Sequence, residues 1–206
     1  MKTRLTTLAA SALLLHSAAT FAASSVDLTV KGLIVPSACT PSLSGGGVID
    51  HGKISAKDLN PDGATAIGVH TLSMTVNCDA PIQFALHPID NRAGSGLSTD
   101  FGLGFINETQ KLGHFSLTWR KALADGGVEV QPIASMDQGN SWYAEKFWEP
   151  GMYMAAASID DDTQPLPIKD LSVDLEVLTI INRADGLDLS NEVTIDGSAT
   201  LEVKYL

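Results

Sequence analysis

The sequence predicts an all-β sandwich or barrel, and three observations lead to that prediction. Nearly every periodic segment alternates apolar and polar residues with period two, or is rich in β-branched residues. Clusters of Pro, Gly, Asn and Asp separate these segments at short intervals, as in proteins built from many short strands. The chain also ends on an alternating stretch, "ATLEVKYL", which is typical of a half-buried strand.

The predicted strands follow one another from the N-terminus to the C-terminus. In chain order they are residues 25–35, 71–78, 83–88, 114–119, 128–133, 152–159, 171–181 and 199–206, with Val193 and Ile195 leading into the last. One stretch departs from this pattern. Residues 140–148, "NSWYAEKFW", predict a helical turn with Ser141 as its N-cap.

The first residues have the pattern of a secretory signal peptide. Lys2 and Arg4 form a short basic region, residues 8–15 are apolar, and small residues close the stretch at Ala22. We expect a signal peptide over 1–22 with cleavage after Ala22, because the apolar run is too short to span a membrane stably. An uncleaved N-terminal anchor is the alternative. The sequence thus predicts export, with the mature protein soluble or extracellular.

The rest of the chain suits a single domain that buries about 70% of its unfolded surface. No internal repeat or low-complexity linker divides it. The whole sequence has a net charge of −11, and cleavage would remove two cations. Such a charge disfavours nucleic acids and anionic membranes as partners, because like charges repel.

Two cysteines are present, Cys39 and Cys78. Export to an oxidising compartment makes a disulfide between them the expected state. The two are 39 residues apart. Closing a loop of that length would stabilise the fold by roughly 4 kcal/mol in the chain-entropy model. Two free thiols or half of a metal site are the alternatives.

No catalytic or metal-binding pattern emerges from the sequence. The nucleophile elbow, the His-Glu-x-x-His pair and the phosphate-binding Gly-x-x-x-x-Gly-Lys loop are all missing. The histidines after the leader are scattered, which favours structural or surface roles: His51, His70, His87 and His114. The acidic run 160–162 lacks the ligand spacing of a calcium loop and predicts a solvated turn. We expect no enzyme activity, no cofactor and no metal.

One aromatic cluster offers a candidate binding site. It consists of Trp142, Tyr143, Phe147 and Trp148. Such rings stack on sugars, so a glycan-binding site is one interpretation. The other, which we favour, is that a short helix packs these rings on the sandwich.

Both ends of the mature chain resemble chaperone–usher pilins, the subunits of Gram-negative surface fibres. The resemblance lies in "VDLTVKGLIVPSACTP", where Gly32 lies in the apolar register before Cys39, in the placing of Cys78, and in the penultimate Tyr205. The whole chain, including "SGGGVIDHGKISAKDLN" and "FGLG", also looks like a family of exported fimbrial-like proteins with no assigned biochemical role. The middle of the chain, residues 93–167, is longer than a minimal pilin body needs.

The resemblance implies an incomplete immunoglobulin-like sandwich over 36–206 and a donor-strand extension over 23–35. The donor strand would insert alternate residues into the groove of a neighbouring subunit: Val26, Leu28, Val30, Gly32 and Ile34. Gly32 would lie where the groove narrows. Leu201, Val203 and Tyr205 would line the groove on the receiving subunit, where the chaperone also pairs.

The implied partners are neighbouring pilus subunits, a periplasmic chaperone and an outer-membrane usher. A host or glycan receptor is a further candidate for a tip or minor subunit. The expected location is the periplasm in transit and then a cell-surface fimbrium. Three alternatives stay open: an ordinary first strand of a complete sandwich, a self-complemented soluble periplasmic protein, and a secreted hydrolase.

Overall fold

The computed structural model describes residues 28–32, 38–97 and 99–206. The chain divides into two compact units, Met1–Ile34 and Val35–Leu206. Every strand reported below belongs to the second unit. The predicted signal peptide 1–22 lies outside the described residues, as do Val26 and Ile34 of the predicted donor strand.

The described residues of the second unit form thirteen strands. They are β1 (Cys39–Leu43), β2 (Thr65–Ile82), β3 (Phe84–Asp90), β4 (Phe101–Gly102), β5 (Phe105–Ile106), β6 (Gln110–Lys111), β7 (Gly113–Ala124), β8 (Val128–Ser135), β9 (Tyr143–Ala144), β10 (Phe147–Trp148), β11 (Tyr153–Ala157), β12 (Ile168–Ile181) and β13 (Ala199–Tyr205). Three short 3-10 turns lie at Ser44–Gly47, Ala56–Asp58 and Ala184–Gly186. No helix in the described ranges is long and apolar enough to cross a membrane. The all-β prediction is confirmed.

The predicted helical turn over 140–148 is wrong. Both the amide and the hydroxyl of Ser141 bond to the Asp137 carboxylate, at 2.9 and 2.7 Å, which closes a loop before β9. The backbone that follows pairs with neighbouring strands: β9 pairs with β8, and β10 pairs with β7. Aromatic residues fit a pleated surface well, and here pairing with neighbouring strands outweighs the helix-like spacing of the rings.

Eight of these strands form one continuous path in the order β1-β2-β12-β7-β8-β11-β3-β13. β4 and β10 pair with β7 and β9 pairs with β8, off this path, while β5 and β6 form a separate two-stranded sheet. β7 and β8 pair over a short stretch, from Ala122 opposite Val130 to Ala124 opposite Val128, and so join two sheets. We call β1-β2-β12-β7 the first sheet and β8-β11-β3-β13 the second sheet. Their inner faces share one core that includes Met74 and Leu175 from the first sheet and Leu86 and Met154 from the second. The molecule is therefore a sandwich with one joined side.

This order corresponds to an immunoglobulin-like sandwich. The first sheet has the A-B-E-D order of that fold, and β3 and β13 stand in the places of strands C and F. Among the described strands, none lies beyond β13 in the place of strand G. Cys39 faces Cys78 across the β1–β2 ladder, and the two form the predicted disulfide.

Candidate functional site

The candidate site is a gap between the two edge strands, β1 and β13, which end the strand path. Among the described strands, β1 pairs with β2 alone and β13 with β3 alone. The two edges approach each other at one end, where the Cys39 amide donates a hydrogen bond of 2.9 Å to the Tyr205 hydroxyl. This bond closes one end of the gap.

Two segments without strand structure border the rest of the gap. Residues 49–54 follow β1 and residues 189–195 precede β13, and we call them the flanking segments. Within the described residues, their backbone makes no hydrogen bond to another backbone group. In the second segment Leu189, Val193 and Ile195 are half-buried while the residues between them are exposed. The amides and carbonyls of these segments that lack a partner are free to bond to another strand, whereas Gly52, with φ +62°, turns the first segment and its amide is bonded to Asp50.

A first cavity of about 240 Å³ lies between the edges. Its floor is the inner face of the first sheet: Leu72, Phe115, Leu117, Leu175 and Val177. Its walls carry Leu43 and Ile49 on one side and Ile195 and Leu201 on the other. Covering apolar surface is favourable by about 25 cal/mol per Å², so this cavity favours an apolar occupant.

A second cavity of about 540 Å³ continues the first. The two share Ile49, His51 and Ile195 in their linings, and we call them together the groove. The floor of the second cavity is apolar, with Leu59, Leu112 and Ile181. Its lining also carries charge, with Asp50, Lys53 and Glu192. The groove therefore changes from apolar near β13 to partly charged beside the flanking segments.

His51 lies where the two cavities meet. Its Nε2 atom is 3.1 Å from the hydroxyl of Thr179 on β12, and its ring lies edge-on to His70 with centroids 5.1 Å apart. Burial lowers the pKa of His51, and the neighbouring His70 lowers it further, while Asp50 acts in the opposite direction. The neutral imidazole is thus favoured at pH 7.

The predicted groove residues of the terminal strand have different positions. Leu201 lines the first cavity. Val203 packs against the shared core. Tyr205 reaches across the gap to Cys39 instead of offering its ring to the open part of the groove. The terminal strand is thus held by β3 along its length and by β1 at its end.

Part of the predicted donor strand is described. Residues 28–32 have no regular secondary structure. The side chains of Leu28 and Val30 are 89% and 88% exposed. A Cβ atom added at Gly32 would meet no atom within 4 Å. Two large apolar side chains in alternate positions are therefore exposed to water.

The four aromatic residues do not form one surface. Trp148 is 2% exposed, lies edge-on to Trp119 and donates to the Met152 carbonyl, so it belongs to the core. Trp142 packs on a small cluster around Ile133 on the second sheet. Tyr143 and Phe147 are exposed. Two of the four rings are thus taken up by packing on the sandwich, as in the interpretation that we favour, and glycan binding stays an alternative for the two exposed rings.

Sequence reasoning did not identify the floor of the groove or His51. Phe115 and Leu175 were recognised as strand residues, but nothing in the alternation marks which strand faces an unfilled gap. The alternation through Val193 and Ile195 was a usable signal for the wall. In the described part of the chain, no group of three or more His, Cys, Asp or Glu side chains could hold a metal ion.

Comparisons with known proteins give one matching family model and two relatives. A family model described as "Protein of unknown function (DUF1120)" matches residues 28–101. The chain is 26% identical to Protein GltF of Escherichia coli K12, over all of this chain and 99% of that protein. It is also 26% identical to the Uncharacterized protein YhcF of the same organism, over 90% of this chain and 92% of that protein. The chain is thus similar, along nearly its whole length, to bacterial proteins whose names state no biochemical activity.

Proposed function

We propose that this protein is a non-enzymatic structural subunit of a bacterial surface fibre, or a fimbrial-like protein of that kind. It is exported by its signal peptide, and a periplasmic chaperone and an outer-membrane usher deliver it. Subunits then join by donor-strand exchange, in which the donor-strand extension 23–35 of one copy, which we call the arm, fills the groove of the next. The observation that supports this most is the groove between β1 and β13.

The groove has the two properties that strand insertion requires. Its floor is apolar, with Phe115, Leu175 and Val177 lining the first cavity. Its flanking segments make no backbone-to-backbone hydrogen bond within the described residues, although the amides of Gly52 and Ser190 are bonded to the carboxylates of Asp50 and Asp188. A single β-strand would satisfy both at once, since its backbone bonds to the walls while alternate side chains enter the floor.

The arm has the complementary pattern. Leu28 and Val30 are spaced by two residues and are exposed. In an extended strand they would point to the same face, as would Val26, Gly32 and Ile34. Each large apolar side chain contributes about 1.5–3 kcal/mol on full burial. Several such contacts favour a second copy of this chain as the occupant.

The test uses the full chain expressed in the periplasm and two kinds of variant. Leu28→Asp with Val30→Asp disables the arm, and Leu201→Asp disables the groove. Thr29→Asp with Lys31→Gln, and Thr200→Asp, are the matched controls, because each changes the net charge by the same amount as its disabled counterpart, in the alternate register. The readout is the SDS-resistant ladder of an unheated sample, which we expect for the wild type and both controls and not for the disabled variants.

Mixing the two disabled proteins sharpens the test. One offers an intact groove and the other an intact arm, so we expect an SDS-resistant dimer that does not grow further. A wild type that stays a compact monomer, and that loses stability when the arm is disabled, would contradict donor-strand exchange between copies. That result would favour the self-complemented periplasmic protein instead.

A further inference from the structure

Two histidines form a pair at the midpoint of the groove. His51 lines both cavities, and His70 on β2 meets its ring edge-on at 5.1 Å. Gly68 makes room for the pair, because an added Cβ would lie 2.8 Å from Nε2 of His70 and 3.1 Å from Cε1 of His51. The Thr179 hydroxyl, 3.1 Å from Nε2, holds the His51 ring against the floor. The pair is thus fixed in place beside the path of an inserted strand.

Few charges near His51 could balance a proton on its ring. Asp50, on the same segment, favours the charged imidazole, whereas His70 on β2 disfavours it. Thr179 on β12 is neutral, and the first cavity offers no carboxylate. Lys53 and Glu192 line the second cavity and carry opposite charges. Burial is the largest influence, and it lowers the pKa of His51 from its usual 6.5.

We propose that the His51–His70 pair makes occupancy of the groove depend on pH, so that a strand binds more tightly at neutral than at acidic pH. This inference rests on the proposed function, because it concerns regulation of the same groove. It adds a property that strand insertion does not itself require. Acid would open or weaken the subunit junction, and neutral pH would secure it.

The sign follows from solvation. An inserted strand removes water from His51, which disfavours the charged ring and lowers its pKa further. Well above pH 6.5 the ring is neutral with or without the strand, so affinity does not vary with pH. As the pH falls through the pKa of the empty groove, protonation stabilises the empty state and affinity drops. For one proton the limit is about tenfold per pH unit.

The test measures binding of a labelled peptide with the sequence of residues 25–35, SVDLTVKGLIV. The receiver is the full chain with Leu28→Asp and Val30→Asp, so that its own arm does not compete. The dissociation constant is measured from pH 7.5 to pH 5.5, which stays above the range in which the peptide carboxyl titrates. We expect it to rise severalfold as the pH falls. His51→Gln, which can still bond to Thr179, should abolish the rise.

A control variant and a second measurement separate the outcomes. His87→Gln removes a histidine that pairs with Glu202 and does not line the groove, so the pH dependence should persist. The His51 imidazole resonance should titrate at lower pH when the peptide is bound. Binding with the same affinity at every pH would overturn the pH dependence and leave strand insertion standing. No binding at any pH would overturn both.

Discussion

The sandwich has a joined side, where β7 pairs with β8, and an open side, between β1 and β13. On both sides apolar residues recur at alternate positions, but only those of the joined side are fully buried. On the joined side, β12 lies between β2 and β7, and its inward residues Leu171 and Val173 are at most 2% exposed. On the open side, Val193 and Ile195 alternate in the same way and are only half-buried, as is Leu189, but Asn191 interrupts the pattern. Their segment has no backbone partner within the described residues.

The difference shows that alternation does not itself make a strand. A segment becomes one when neighbouring strands satisfy its backbone, and β12 has a neighbour on each side. The flanking segment 189–195 has the apolar face without the neighbour. Such a segment is poised to accept a strand from outside, which is the physical basis of the proposed function.

The largest expected contrast comes from truncating one leucine on each side. Leu171→Ala removes a side chain that is 2% exposed, so we expect a loss of about 2–5 kcal/mol. Leu189→Ala removes one that is already half in water, and the loss should be about 1 kcal/mol. Urea unfolding followed by tryptophan fluorescence measures both. Equal losses would mean that the open side is packed as tightly as the joined side.

Removing the disulfide measures how much it contributes to holding the edge strand β1 in place. It joins β1, one border of the groove, to β2 within the first sheet. Replacing Cys39 and Cys78 together by alanine should lower the free energy of unfolding by about 2–4 kcal/mol. The wild type in reducing agent is the control and should unfold with the variant. A loss below 1 kcal/mol in both would show that β1 is fixed by its ladder alone.

Much of the fold could be predicted from the sequence, because a strand is indicated by the period-two alternation of its apolar and polar residues. This local period predicts the long segment 171–181 and the terminal stretch, and the prediction of export makes the disulfide the expected state. The lengths of β2 and β12 could not be predicted, since they depend on pairing between distant segments. β9 and β10 could not be predicted for the same reason, because they also depend on pairing with distant segments. Their rings are spaced as in a helix, and only long-range backbone bonds decide otherwise.

The candidate site was predictable in part. The terminal strand as one border of a groove followed from its alternation and from the family resemblance, and Leu201 lines the first cavity. The role of His51 is not predictable in this way, because a lone histidine in a sequence carries no sign of its neighbours. Its position depends on Gly68 and Thr179, which are brought to it by folding. Tyr205 was recognised, but its hydrogen bond to the opposite edge is a tertiary contact that spacing does not encode.

The smallest expected effect concerns that hydrogen bond, the one backbone-to-side-chain link between the two edges among the described residues. Tyr205→Phe keeps the ring and removes the hydroxyl, so the Cys39 amide loses its partner. We expect a loss of about 0.5–1.5 kcal/mol in unfolding free energy and faster hydrogen exchange at Cys39. Tyr143→Phe is the control, because that side chain is exposed and should change neither quantity. If Tyr205→Phe also changed neither, the closed end of the groove would depend on packing of the ring, and the edges would be as separable there as beside the flanking segments.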